Sequence, residues 1–283
     1  MKLRYPAVAG SWYAGTPKSL RKQIEQLFRH KLGPGSLSSV VEDGPRNVVG
    51  LVVPHAGYMA SGPVAAHAYH HLAKDGKPDI VVIFGPNHTG HGSALATMNE
   101  GTWRTPLGDV EVDAEIADKI LQASSIVDVD DRAHVYEHSI ELQLPFLQYL
   151  YDSNFKFVPI CFMIQDLESS REVGKAVAKA LKGKNGLVIA SSDMTHYEPQ
   201  ERAEKKDKMA LDATLELNEE GYYNTVELYG ISTCGYGPVI AAITAAKELG
   251  AKKAELLSYK TSGDILGDRS AVVGYASIAF TKK

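Results

Sequence analysis

Leu51-Val52-Val53-Pro54-His55-Ala56-Gly57-Tyr58 carries an apolar, β-branched run into a proline and then a histidine. Two other stretches repeat the arrangement. Ile80-Val81-Val82-Ile83-Phe84 leads into Gly85-Pro86-Asn87-His88, and Leu187-Val188-Ile189-Ala190 leads into Ser191-Ser192-Asp193-Met194-Thr195-His196. Short continuous apolar runs bounded by Pro, Gly or Ser read as strands buried on both faces. Open α/β sheets gather ligands beyond the carboxyl ends of such strands. Three strand ends, each releasing a histidine, predict one shared polar site.

The segments around them alternate between helical and extended patterns. Thr16-Pro17 opens a helix, with a hydroxyl cap, Pro at the first position and a stripe of Leu20, Ile24 and Leu27. Residues 33–47 read as an exposed loop and 62–73 as a helix. Residues 93–97 and 102–112 read as strands, the latter a hairpin turning at Pro106-Leu107-Gly108-Asp109. Asp113 caps a helix with Ile116 and Ile120 on its apolar face. Residues 137–150 read as one helix kinked at Pro145, 155–161 as a strand and 167–181 as a helix. Further helices are expected over 199–217 and 235–249, and closing strands over 256–259 and 272–280. This alternation predicts one domain over residues 1–283, a three-layer α/β/α fold with a mixed sheet.

Bulk properties narrow the function. The 283 residues are 44% hydrophobic and 23% charged, ordinary globular material, with a net charge of −4. That balance argues against general nucleic-acid or anionic-membrane binding, which need a basic surface. The two cysteines, Cys161 and Cys234, cannot build a disulfide framework and point to a reducing compartment. No apolar stretch approaches the roughly 20 residues of a membrane span, and no signal peptide is visible, so a cytoplasmic location is expected. Oligomeric state is left open. G-x-G-x-x-G, P-loop, H-E-x-x-H, C-x-x-C and G-x-S-x-G patterns are all absent.

His55 and His88, each after a proline-bounded strand, read as metal ligands or catalysts, or as histidines bonded within a turn. Cys234 stands in a glycine frame just before a helix, where the helix dipole favours thiolate; Cys161 reads as a small core hydrophobe. Asp193 and His196 suit proton transfer, although Ser191-Ser192-Asp193 is also a capping pattern. His138 and Glu141 fall on one face of the expected helix, as partners of a metal-bound histidine or as a local surface pair. His67, His70 and His71 read as a solvated helix face.

Six motifs in order resemble the Memo family (mediator of receptor-driven cell motility). They are Pro6-Ala7-Val8-Ala9-Gly10-Ser11-Trp12-Tyr13, Pro54-His55-Ala56-Gly57-Tyr58, Gly85-Pro86-Asn87-His88, Thr105-Pro106-Leu107-Gly108, Glu137-His138-Ser139-Ile140-Glu141 and Ser192-Asp193-x-x-His196. That family is similar in fold to class III extradiol dioxygenases, non-haem iron enzymes that open catechol rings. The resemblance implies that His55, His88 and Cys234 are metal ligands and that His196, beside Asp193, is an acid/base. It implies iron(II) first, with copper or zinc as alternatives, and a pocket lined by Trp12 and Tyr58 that receives phosphotyrosine peptides in animal members. A cysteine stands here where the dioxygenases place a carboxylate, which softens the site. Met194-Thr195 and Tyr197-Glu198 flank His196 where animal members are expected to have a cysteine before it and an aromatic-glycine pair after it.

Three functions follow from these residues. The first is a metal-dependent redox or oxygenase-like enzyme. The second is a non-catalytic protein whose pocket takes a small molecule, peptide or phosphopeptide. The third is a thiol hydrolase using Cys234, His196 and Asp193.

Overall fold

The computed structural model describes residues 2–37 and 39–283. In chain order the first half contains β1 (Leu3–Arg4), α1 (Pro17–Arg29), β2 (Val48–Val53), α2 (Gly62–Asp75), β3 (Ile80–Pro86), β4 (Leu95–Thr97), β5 (Thr102–Thr105), β6 (Gly108–Glu111), α3 (Ala114–Ala123) and β7 (Asp128–Val129). The second half contains α4 (Leu144–Tyr151), β8 (Lys156–Phe162), α5 (Leu167–Leu181), β9 (Gly186–Ser191), β10 (His196–Glu198), α6 (Gln200–Leu215), α7 (Glu219–Tyr229), α8 (Tyr236–Glu248), β11 (Lys253–Thr261), α9 (Ser262–Leu266) and β12 (Val272–Thr281).

The main sheet runs in the order β10-β12-β2-β9-β3-β8-β4-β7, with β11 added on β12. Its centre, β2, β9, β3 and β8, is parallel, and β12 and β4 join it antiparallel. The sheet is therefore mixed, with helices on both faces. The apolar runs are continuous because successive side chains enter different cores. Val82 and Phe84 of β3 pack with Ile116, Val177 and Ile240 of α3, α5 and α8. Val81 and Ile83 pack with Ile24, Tyr69 and Phe146 of α1, α2 and α4. At roughly 1.5–3 kcal/mol per buried large apolar side chain, that double burial fixes these strands at the sheet centre. Among the described residues no helix is long and apolar enough to cross a membrane.

A second sheet, β1-β5-β6, sits beside the first, with Trp103 against Val110 in the hairpin and Arg4 over the Trp103 ring at 4.3 Å. The expected caps form: Thr16 accepts the Ser19 N–H at 3.3 Å and Asp113 that of Ile116 at 2.9 Å.

Residues 137–150 depart from the expectation. Glu137 turns its carboxylate back to accept the N–H groups of His138 and Ser139, at 2.9 and 2.8 Å, which holds this segment as a loop. A 3₁₀ turn at Glu141–Gln143 follows, and α4 begins only at Leu144. Pro145 lies in the first turn of α4, where its missing N–H costs nothing, and so makes no kink. Unanticipated elements include α7, which buries only Tyr222 and Val226, and β10, too short to show a period. His67, His70 and His71 are half-buried, and the His67 ring meets the Leu32 carbonyl at 3.1 Å, so they are not a solvated face.

On one face α5 and α8 approach closely at Gly174, where a Cβ would stand 2.5 Å from the Ala241 carbonyl oxygen. Alanine would gain about 1 kcal/mol of helix propensity, but a backbone carbonyl cannot move aside as a flexible side chain can. Gly174→Ala is therefore expected to destabilise the protein by about 1–3 kcal/mol, read as a lower urea midpoint. An unchanged or higher midpoint would show that the two helices can part without penalty.

Candidate metal centre

The ends of β2, β3 and β9 open on one side of the sheet. His55 follows β2 and is almost wholly buried. Its backbone N–H donates to Asp193 Oδ1 at 2.8 Å, joining the ends of β2 and β9. The tautomer of its ring follows from Ser191. That hydroxyl has one proton and gives it to the Ser139 carbonyl at 2.7 Å, and it also accepts from Gln143 Nε2 at 2.8 Å. Its 2.9 Å contact with His55 Nδ1 therefore has the imidazole as donor, leaving Nε2 a bare lone pair. Burial first, then the neighbouring imidazoles, push His55 well below the ordinary histidine value. It is neutral at pH 7.

His88 follows β3 and is oriented by Glu137. Glu137 Oε2 accepts the His88 backbone N–H, and Oε1 accepts His88 Nδ1–H at 2.9 Å. Burial alone would raise the Glu137 carboxyl, yet hydrogen bonding and the imidazoles hold it down to about 2. It is an acceptor only, so the proton of this bond sits on His88 Nδ1 and Nε2 is the ring atom left for a ligand. A carboxylate behind an imidazole is the usual support of a metal-bound histidine. Gly85 makes room for this loop: a Cβ there would lie 2.3 Å from Ser139 Oγ.

His138 completes a trio. Its ring is stacked on His88 at 4.5 Å and 22°, with Trp12 at 4.3 Å. Burial holds it down to about 4, against the pull of the Glu137 charge, so it too is neutral. His55, His88 and His138 offer nitrogens that all lie within 4.8 Å of one another, a set able to hold a metal ion.

Cys234 Sγ lies 3.2 Å from His55 Nε2 and accepts the Asp193 N–H at 3.3 Å. Burial, and then the Asp193 charge, push its thiol well above the ordinary value. The helix dipole does not prevail, because α8 begins two residues later and the sulfur turns toward Asp193. Asp193 itself is pushed up to about 6 by burial, against the hydrogen bond from His55. His196 gives its Nδ1 proton to the Ser232 carbonyl at 2.8 Å, leaving Nε2 free. With Trp12 and Tyr197 these groups line an open cleft of about 410 Å³.

Comparison with known proteins identifies the family. The family model described as Memo-like protein matches residues 4–279. The chain belongs to the Memo family. It is 53% identical over 281 residues to a MEMO1 family protein of Methanopyrus kandleri, covering 99% of each chain. It is 54% identical over 284 residues to one of Methanocaldococcus jannaschii, covering 98% of each. A solved structure of an uncharacterized protein from Escherichia coli K12 matches with a TM-score of 0.57 at 14% identity, over 82% of this chain and 99% of that one, a likeness of fold.

Within this Memo chain, His55, His88, Cys234, Asp193, His196 and Trp12 meet in one cleft, and His138 stands among the donors. Two expected residues do not. Glu141 supports no metal-facing histidine. It is buried with Arg4 and accepts the N–H groups of Ala7 and Val8 and the Tyr13 hydroxyl, because the loop turns it toward the N-terminal arm. Tyr58 is core: its hydroxyl donates to the Leu142 carbonyl at 2.8 Å, and it lines no part of the cleft. Glu137, which orients His88, was visible only as the residue before His138. The donors suit a metal: three clustered imidazoles, two of them with Nδ1 tied in a hydrogen bond so that Nε2 is the atom left for an ion, and a nearby sulfur.

Glu137, held below its ordinary value of 4.5, contributes stability that is complete above that pH and is lost as the pH falls toward 2. The linkage amounts to about 3 kcal/mol. The stability gap between wild type and Glu137→Gln, from urea unfolding, should be widest above pH 4.5 and narrow toward pH 2. A gap independent of pH would mean that the carboxylate charge does not hold the loop.

Proposed function

We propose that this Memo-family protein is a metal-dependent, oxygenase-like redox enzyme that holds one ion on His55 and His88, iron first and copper or zinc as alternatives. The observation that carries the reading is the pair of imidazoles from β2 and β3, each oriented by a hydrogen bond at Nδ1 that leaves Nε2 as the atom for an ion. Cys234 supplies a soft donor beside His55. A bound redox ion would supply electron exchange with a substrate or with O₂.

The chain's own groups would handle the rest. Buried His55 and the half-exposed Trp12 ring form part of the cleft lining. His196 Nε2, bare and facing the cleft, would take or give a proton. Asp193, raised to about 6 in its buried position, is a carboxylate at pH 7 that would take up a proton just below neutrality. The ligand is a small molecule or a peptide segment of a size with the cleft.

One observation favours a second reading, a non-catalytic peptide or phosphopeptide receptor. Trp12 and Tyr197 place exposed aromatic rings on the cleft, 37% and 77% accessible. The thiol-hydrolase reading finds less support. The imidazole at Cys234 is His55, not His196, and His196 is oriented by the Ser232 carbonyl, not by Asp193.

The test is anaerobic calorimetric titration of chelator-stripped protein with Fe(II), Cu(I) and Zn(II), alongside His55→Ala and His88→Ala. One-to-one binding weakened about 100-fold or more in both variants is expected. No binding, or binding that both variants retain, would sink the metallo-enzyme reading. Phosphopeptide affinity that survives chelation would favour the receptor.

A further inference from the structure

We propose that the free edge of β11, with the groove between it and α6, is a docking site for an extended peptide segment of another protein. The segment would add to the main sheet as a further strand, seat apolar side chains in the groove and carry one basic residue. This site shares no lining residue with the histidine cleft.

β11 is the outermost strand on its side of the sheet. It pairs with β12, and among the described residues no strand pairs with its other side. Its 9 residues exceed the usual strand of about five or six. Alternate peptide groups of such an edge point N–H and C=O away from the sheet, where water or a new strand must bond them. Proteins blunt long edges with bulges, lysines or a covering element. Here the blunting is partial. The register shifts once, between Leu256 and Ser258, and the ladder is regular on both sides of that step. Among the described residues of the strand, only the Thr261 N–H is taken by a side chain, Asp264 Oδ2 at 3.0 Å.

Beside this edge the surface is hollow. Leu211 and Leu215 of α6, with Leu256 and Tyr259 of β11, line a groove of about 470 Å³. The Tyr259 ring is fixed in place. Its hydroxyl donates to the buried Asp207 carboxylate at 2.8 Å, and Asp207 also accepts the Thr195 N–H at 2.9 Å. A floor held in this way costs a ligand no ordering of the protein. Leu256 is 38% accessible, an apolar side chain open to water on the strand itself. An extended peptide uses both features, main-chain bonds for affinity and pockets for alternate side chains for selectivity.

Charge sets the character of the peptide. Lys208 is paired with Asp212 at 2.8 Å, and Arg269 lies 3.6 Å from Asp264. Glu204, also in the groove lining, accepts from the Gln200 amide at 2.8 Å, and among the described residues it has no cation beside it. Its charge is felt at the Tyr259 hydroxyl. A lysine or arginine next to the side chain seated on Tyr259 would complete the pair. A second copy of this chain fits less well. Two-fold pairing about Leu257, the middle of β11, would set the two irregular Leu256–Ser258 steps against each other.

The experiment selects linear peptides of about eight residues, enough to match the strand, from a display library on the whole protein. Enriched sequences are then measured by fluorescence anisotropy on wild type, Leu256→Glu, Glu204→Gln and Trp12→Ala, with urea midpoints to check folding. They should carry apolar residues at every second position and a lysine or arginine. Binding should weaken about 10-fold or more in Leu256→Glu, which sets a charge against the apolar groove. It should weaken about 3-fold in Glu204→Gln, an effect lost at high salt, and stay unchanged in Trp12→Ala. N-methylation of every second peptide amide should cost about 10-fold or more in one phase and little in the other, as bonding along one edge requires. That series needs no protein variant, so it decides the matter even where a variant fails to fold. No enrichment, peptides indifferent to Leu256→Glu, or equal loss in both N-methyl phases would overturn the proposal. Peptides weakened by Trp12→Ala instead would belong to the histidine cleft and overturn it too. A dimer in sedimentation that Leu256→Glu breaks would give the edge to a second copy and overturn the peptide as its occupant.

Discussion

The Glu137 carboxylate accepts four hydrogen bonds, from the backbone and Nδ1 of His88 and from the backbones of His138 and Ser139. Without exposure to water, a carboxylate is stable only when such donors surround it. Here they come from two loops, so meeting the needs of one charge brings the end of β3 and the loop before α4 together. His88 gains its tautomer and His138 its place in the same event. The centre is thus assembled around an anion that faces away from the cleft.

A second buried acid makes the equivalent connection for the N-terminal arm. Glu141 pairs with Arg4 and gathers Ala7, Val8 and Tyr13, so the arm lies along the loop. Arg4 also donates to the carbonyls of His134 and Glu137. Trp12 is thereby carried to His138, and its carbonyl accepts the Tyr58 N–H. Residues far apart in the chain meet because each buried charge must find every partner it needs.

What could be read from the sequence was what local pattern encodes. Buried runs ending at Pro54 and Pro86 identified the central strands, and the fold class followed. His55 and His88 stood out because a polar ring directly after such a strand has little packing purpose. Glu137 did not, since its pairing with His88 spans 49 positions and leaves no mark in local spacing. Glu141 and Tyr58 were misplaced for related reasons. A helical period was read across a loop whose shape a distant charge decides, and an aromatic beside the site proved to be filling the core.

The strand order has a consequence for when the centre comes into being. β2 and β3 are not bonded to each other; β9 lies between them and pairs with both. His55 depends for its ring tautomer on Ser191, 136 positions later. During synthesis the chain can present both histidines long before β9 exists to space them. Closing so long a loop is slow, and the contacts that reward it arrive last. The centre is thus made late, and the growing chain has little hold on an ion until β9 slides in. Any ion that these donors take up would then be taken by the finished fold and not by the nascent chain.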